Sequence, residues 1–110
     1  MKITYCLFVD DDKENRHPPR DGNIWVRAYN FHEAIYFLNQ RDYKIISLDH
    51  DIASFYGNKE MTGRDVLNYM IVEYVERGRF DGGEVRVHSA NPVGRATMEQ
   101  DIARWFPKKA

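Results

Sequence analysis

Short apolar runs alternate with amphipathic stretches along this chain, and the two patterns have different periods. Residues 3–9, ITYCLFV, form a short continuous apolar run of β-formers, the pattern of a strand buried on both faces. Asp10-Asp11-Asp12 ends it. Residues 13–23 are polar and carry Pro18-Pro19 and Asp21-Gly22; adjacent prolines oppose a helix there. Ile24 to Tyr29 predicts a second strand. Asn30, with Glu33 three residues on, has the form of a capping-box variant. Phe31, Ala34, Ile35 and Leu38 then share one helical face, and that helix stops near Arg41. Tyr43 to Leu48 predicts a third buried strand, and residues 52–61 a loop. Thr62 with Asp65 opens a second helix, whose apolar stripe is Val66, Leu67, Met70, Ile71, Tyr74 and Val75. Gly78 suits its C′ position. After the turn Asp81-Gly82-Gly83, Glu84 to His88 predicts a fourth strand. Asn91-Pro92 reads as N-cap and N1 of a last helix, which turns Met98, Ile102, Trp105 and Phe106 inward and ends at Pro107.

Strands alternating with helices indicate an α/β fold with a mostly parallel sheet of about four strands and covering helices. With 110 residues, the expectation is one domain, residues 1–110. The first crossover is the odd one: about a dozen residues join strands one and two without a helix, near the lower limit for a parallel connection.

The strand ends carry the chemistry. In such a sheet, ligands bind beyond the carboxyl ends of the strands, where the strand order reverses. Strand one ends in Asp10-Asp11-Asp12, strand three in Asp49-His50-Asp51, and strand four in His88-Ser89. Two carboxylates about 4 Å apart repel by roughly 4 kcal/mol at an effective dielectric of about 20. Gathered carboxylates therefore take up protons, flare into water or hold a cation. Oxygen ligands favour Mg²⁺, Mn²⁺ or Ca²⁺. Facing them, the start of the last helix offers free N–H groups, with Ser89, Asn91 and Arg95 as donors to an anion. His50 and His88 belong to the residue type whose ordinary pKa lies near neutrality, the type suited to proton transfer. Taken singly, each feature has a plainer role. The aspartates can be turn or capping groups, either histidine a satisfied hydrogen-bonding residue, and Arg95 a solvated one. His17 and His32 are surface residues, and the Tyr and Phe side chains of the helices are core rather than a base-stacking platform.

Composition narrows the classes. The formal net charge is −1, from 16 basic and 17 acidic residues, so no broad electropositive footprint for duplex nucleic acid exists. Cys6 is the only cysteine. It excludes an intramolecular disulfide, fits a reducing compartment and reads as a small core residue. No stretch approaches the roughly 20 apolar residues of a membrane span, and the N-terminus has no leader-like apolar region. The expectation is a cytoplasmic protein without a membrane partner.

The segments CLFVDDDKENRHPP, ISLDHDI, TGRDVLNYM and VHSANPVGRATM resemble the cyclic-phosphate processing receiver domain family. LDHD together with HSANPVG carries most of the specificity, and the resemblance spans nearly the whole chain. It implies a receiver-like, flavodoxin-like fold with strand order 2-1-3-4, and a role on cyclic phosphate ends or cyclic nucleotides. By resemblance to ordinary response-regulator receivers, Asp10 and Asp11 match the acidic pair, Asp49 the phosphoacceptor and Ser89 the hydroxyl. His50, Asp51 and His88 are additions to that pattern. A fifth strand is missing, and Lys108-Lys109 substitutes poorly for the buried lysine.

The functional expectation is a divalent-metal-assisted phosphoesterase acting on a cyclic phosphate or nucleotide phosphate, with a small nucleotide or an RNA-end cyclic phosphate as partner. Asp10, Asp11 and Asp49 hold Mg²⁺ or Mn²⁺. His50 and His88 transfer protons beside Asp49, Asp51 orients one of them, and Ser89, Asn91 and Arg95 bind phosphate. The 52–61 loop, with Gly57 and Gly63 at its margins, is a lid. The competing expectations are a nucleotide sensor or sponge that binds without turnover, a degenerate phosphoreceiver, and a protein-interaction module.

Overall fold

Four parallel strands pair in the order β2-β1-β3-β6 in a computed structural model that describes residues 4–108. Along the chain the elements are β1 (Tyr5–Val9), β2 (Ile24–Ala28), α1 (Phe31–Leu38), β3 (Ile45–Leu48), β4 (Ser54–Tyr56), β5 (Lys59–Met61), α2 (Gly63–Arg77), β6 (Glu84–Val87) and α3 (Pro92–Trp105). The receiver-like α/β class and the strand order agree with expectation. Ile3 and Lys109 lie outside the described residues.

Strand alternation divides the sheet into two unlike faces. Leu7, Val9, Ala28, Ile46, Leu48 and Val85 face one core, which Ala34 and Leu38 of α1, Val66, Leu67 and Met70 of α2, and Met98 of α3 complete. Each such Leu or Met contributes about 1.5–3 kcal/mol by leaving water. The other face carries Phe8 in register with Arg27 and Ser47. The helix-free connection between β1 and β2 returns across this face. Arg27 donates to the Arg16 carbonyl at 2.7 Å, and the Trp25 indole N–H donates to Asp21 at 3.0 Å. The short first crossover is thus a strap along the second face.

The helix starts follow the sequence closely. The Asn30 side chain accepts from the Glu33 N–H at 2.8 Å, and Glu33 reaches back to the Tyr29 N–H at 2.7 Å. Thr62 and Asp65 form a reciprocal capping box, and Gly78 closes α2 in the left-handed conformation. Asn91 caps α3, with Pro92 in its first turn.

Four expectations need correction. Residues 52–61 are not a plain loop: β4 and β5 form an antiparallel hairpin with Gly57 at its tip, at φ 62°, rather than at a margin. Only three residues pair on each side, too few for a strand periodicity to stand out. The hairpin leans on the start of α1, where the Ser54 hydroxyl accepts from the Phe31 N–H at 3.1 Å. Val75 does not join the apolar stripe but is exposed, as is Val72, because nine residues on from Val66 the helix has turned it to the opposite side. α1 ends at Leu38, capped by Asn39. Tyr36 on that helix is 61% exposed, so its aromatic residues are not all core. No helix among the described residues is long and apolar enough to cross a membrane.

Candidate functional site

One hydrogen bond, repeated across the sheet, places three of the polar residues. The Asp10 N–H donates to the Ala28 carbonyl, the Asp49 N–H to the Val9 carbonyl and the His88 N–H to the Leu48 carbonyl, each at 3.0 Å. The ladder therefore runs one residue beyond β1, β3 and β6, and fixes each side chain at the carboxyl edge. β1 is followed in sequence by its neighbour on one side, and the later strands add on the other. The order reverses at β1 and β3, so Asp10 and Asp49 stand at the switch point.

Asp10 is fully buried, and Asp49 is 5% exposed. With the exposed Asp11 they offer three carboxylate oxygens lying within 4.8 Å of one another. Burial, reinforced by the negative charge of Asp10, pushes the Asp49 carboxyl up from its ordinary range; Arg16, the His50 N–H and Ser89 oppose the rise. The Arg16 guanidinium lies 3.4 Å from Asp49 Oδ1 and 3.7 Å from Asp10 Oδ2. Arg27 braces the same corner, donating to the Asp10 backbone carbonyl at 3.2 Å and lying 3.9 Å from its carboxylate. An all-oxygen donor set with surplus negative charge fits a hard divalent cation. Asp10, Asp11 and Asp49 are the residues able to hold one, beside the cationic group that Arg16 already supplies.

His88 and His50 have opposite surroundings. His88 stacks on Phe8, with ring centroids 4.3 Å apart and planes 8° from parallel. Its Nε2 lies 3.0 Å from Asp10 Oδ2, and its Nδ1 lies 2.7 Å from Ser47 Oγ. A carboxylate only accepts, so Nε2 carries the proton and Nδ1 accepts from the Ser47 hydroxyl. Burial lowers the His88 pKa despite the pull of Asp10. The ring is therefore neutral near pH 7, and its contact with Asp10 is a hydrogen bond rather than an ion pair.

His50 lies on the rim. Its Nδ1 is 2.9 Å from Asp51 Oδ1, and the Asn91 amide donates to Asp51 Oδ2 at 3.2 Å. The hydrogen bond with His50 holds the Asp51 carboxyl below its usual range. Among the described residues His50 Nε2 makes no hydrogen bond. Two glycines permit this placement. A Cβ on Gly63 would fall 1.6 Å from the Asp49 carbonyl oxygen, and one on Gly94 would fall 2.5 Å from Cγ of the His50 ring. Both helix starts thus press onto the Asp49-His50 segment as closely as a backbone without side chains allows. Just beyond it, Ala53 turns the chain at φ 41°, a left-handed conformation that is unfavourable for a residue with a Cβ.

The structure brings Asp10, Asp11, Asp49, His88 and Ser89 together and sets His50, Asp51 and Asn91 at their edge. Ser89 is buried and accepts from the Asn91 N–H at 3.1 Å. Asn91 is engaged twice, with Asp51 and with the Gly94 N–H. Arg95 stands apart, exposed on α3 and 3.4 Å from Glu99 one turn on. Sequence reasoning missed Arg16, Arg27 and Ser47. The signal for the last two was present: an arginine inside IWVRA and a serine inside IISL interrupt otherwise apolar strands. Arg16 had none, being one of several charges in an irregular segment. A cavity of about 920 Å³ opens at the amino ends of the strands, around Tyr5, Arg41, Lys44 and Phe80, but it holds none of these groups.

No curated protein matches the chain. Residues 5–104 match the family described as the cyclic-phosphate processing receiver domain. That span contains every element from β1 to β6, all but the last residue of α3, and all of the strand-end residues described above. With this fold, these strand ends and a match of that length, the chain belongs to the cyclic-phosphate processing receiver domain family.

Proposed function

We propose that the protein is a phosphoesterase that opens a cyclic phosphate carried by a nucleotide or an RNA end. One observation carries this reading: a histidine backed by a carboxylate on Nδ1, with Nε2 free, stands immediately beside a buried carboxylate cluster containing an arginine. Water adds to phosphorus, one of the two ring ester bonds breaks, and the product is a phosphomonoester with a free hydroxyl. His50 Nε2 accepts a proton from the attacking water, and that proton ends on the departing ester oxygen. Asp51 holds the tautomer and stabilises the imidazolium that forms, a contribution of about 10²–10⁴-fold for positioned acid–base groups. Arg16 and the Ser89 hydroxyl bind phosphoryl oxygens. His88 stays neutral and holds Asp10 in place. A divalent cation held by Asp10, Asp11 and Asp49 supplies charge neutralisation at the phosphoryl group when bound.

Capture without turnover is the second reading, favoured by Arg16 lying across the two buried carboxylates, where an anion can be held by a cation already present. The phosphoreceiver reading is weaker. Among the described residues no lysine pairs with Asp10 or Asp49, and Arg16 takes that place.

The test is ³¹P NMR of adenosine 2′,3′-cyclic phosphate with the wild-type protein and Mg²⁺, beside His50→Ala and Asp49→Asn. The expected result is a monoester signal that both variants abolish. A cyclic phosphate that binds saturably and survives prolonged incubation intact supports capture instead.

A further inference from the structure

Beside the acidic cluster, on the far side of Arg27, lies a shallow depression of about 380 Å³ lined by Arg27, Tyr29, His32, Glu33, Tyr36 and Phe37. Tyr29 and Tyr36 are 40% and 61% exposed there, and Tyr56 at the neighbouring hairpin is 68% exposed. Tyr29 and Tyr36 line the depression, and Tyr56 borders it beside His32. The His32 ring stands 5.9 Å from that of Tyr56, and its Nε2 lies 3.0 Å from the Phe55 carbonyl. The hairpin is thereby fastened to the start of α1.

Arg27 joins the depression to the strand-end cluster. Its guanidinium lies over the Tyr29 ring, 4.9 Å from the centroid, and over Phe8 at 5.4 Å, while its edge reaches Asp10. His88 stacks on the same Phe8 ring. A continuous run of planar groups, His88, Phe8, Arg27 and Tyr29, therefore leads outward from the carboxylates to the depression. Glu33 accepts from the Tyr29 N–H at 2.7 Å and so holds the backbone that carries this ring. Stacking on aromatic residues strengthens binding of each base about tenfold or more, and the depression has the size of the smaller ligand sites.

From this continuity we infer that the depression at Tyr29, His32 and Tyr36 is a nucleobase subsite, which holds the base of a nucleotide whose phosphate lies at the Asp10–Asp49 cluster. This rests on the phosphoesterase reading for the phosphate end and adds the base as the determinant of specificity. Exposed Tyr29, and not the strand-end cluster, then separates nucleotides from simple cyclic phosphates.

The experiment is titration calorimetry on the full chain carrying His50→Ala, which prevents turnover. Three probes are used: adenosine 2′,3′-cyclic phosphate, the base-less glycerol 1,2-cyclic phosphate, and adenosine. The expected result is that Tyr29→Ala weakens the nucleotide about tenfold or more and leaves the glycerol ester unchanged. Tyr29→Phe, which keeps the stacking face, restores nucleotide binding; Tyr36→Ala gives a smaller loss. If nucleotide and glycerol ester bind alike and neither responds to Tyr29→Ala, the base subsite is wrong while the phosphate reading stands. If adenosine binds and is lost in Tyr29→Ala, but Asp49→Asn changes no cyclic-phosphate affinity, the base subsite stands and the phosphate reading falls. Failure of all three probes to bind overturns both.

Discussion

His50 and His88 each stand one or two residues beyond a strand, each beside an aspartate, yet the fold gives them opposite properties. His88 has both ring nitrogens engaged, by Asp10 and Ser47, and lies against Phe8 under burial that keeps it neutral. His50 has one nitrogen fixed by Asp51 and the other free at the rim. A carboxylate partner alone therefore does not identify an acid–base group. What decides is whether the second nitrogen is left for a substrate. By that measure we propose that His50 transfers the proton and that His88 positions Asp10.

The sharpest way to break the comparison is to remove each ring. His50→Ala is expected to lower kcat on adenosine 2′,3′-cyclic phosphate by about 100-fold or more with little change in melting temperature. His88→Ala is expected to act mainly on stability, by about 1–3 kcal/mol, since it leaves a buried partner unsatisfied. Equal kinetic losses with equal stability would erase the distinction. Next in size is the glycine pair. Gly63→Ala sets a methyl group against backbone and is expected to destabilise by about 3 kcal/mol or more in urea unfolding. Gly94→Ala meets the His50 ring first, so it is expected to cut kcat about tenfold at near-normal stability; unchanged turnover would mean that the ring position does not matter.

Titration sharpens the same contrast. Because the His88 pKa is lowered in the folded protein, the unfolded chain takes up its proton first. Stability from this group is full above the ordinary histidine pKa of about 6.5 and declines as pH falls through the lowered folded value. Chemical denaturation across that window is expected to show this slope in wild type and to lose it in His88→Gln; an unchanged slope would refute the assignment. The smallest effect belongs to Asp49. Its pKa is raised, so the folded state holds a proton more readily than the unfolded one, and the ionised group works against folding at neutral pH. Without divalent cations, Asp49→Asn is expected to melt a few degrees higher than wild type. Adding Mg²⁺ is expected to raise the wild-type melting temperature and not that of the variant.

Legibility followed the range of the interactions. The caps at Asn30, Thr62 and Asn91, the strand cores and the acidic strand ends depend on neighbours a few residues away, and the sequence displays them directly. The β4–β5 hairpin did not show, because three residues on each side give no readable period. Arg95 was expected to clamp an anion, and in the structure it lies exposed on α3, 3.4 Å from Glu99 one turn on. Arg16 was overlooked because nothing local distinguishes it from Lys13 or Arg20.

The sequence by itself determined that short buried strands would end in Asp10, Asp49 and His88, and that helices would start at Thr62 and Asn91. Alternation and capping are local, and burial demands them whatever the partner. Only the tertiary structure decided which aspartate meets which histidine, that Arg16 returns across a helix-free crossover to two buried carboxylates, and that Gly63 and Gly94 clamp the His50 segment. Those contacts join residues up to 78 positions apart. Their energies depend on distance and desolvation, which chain order does not encode.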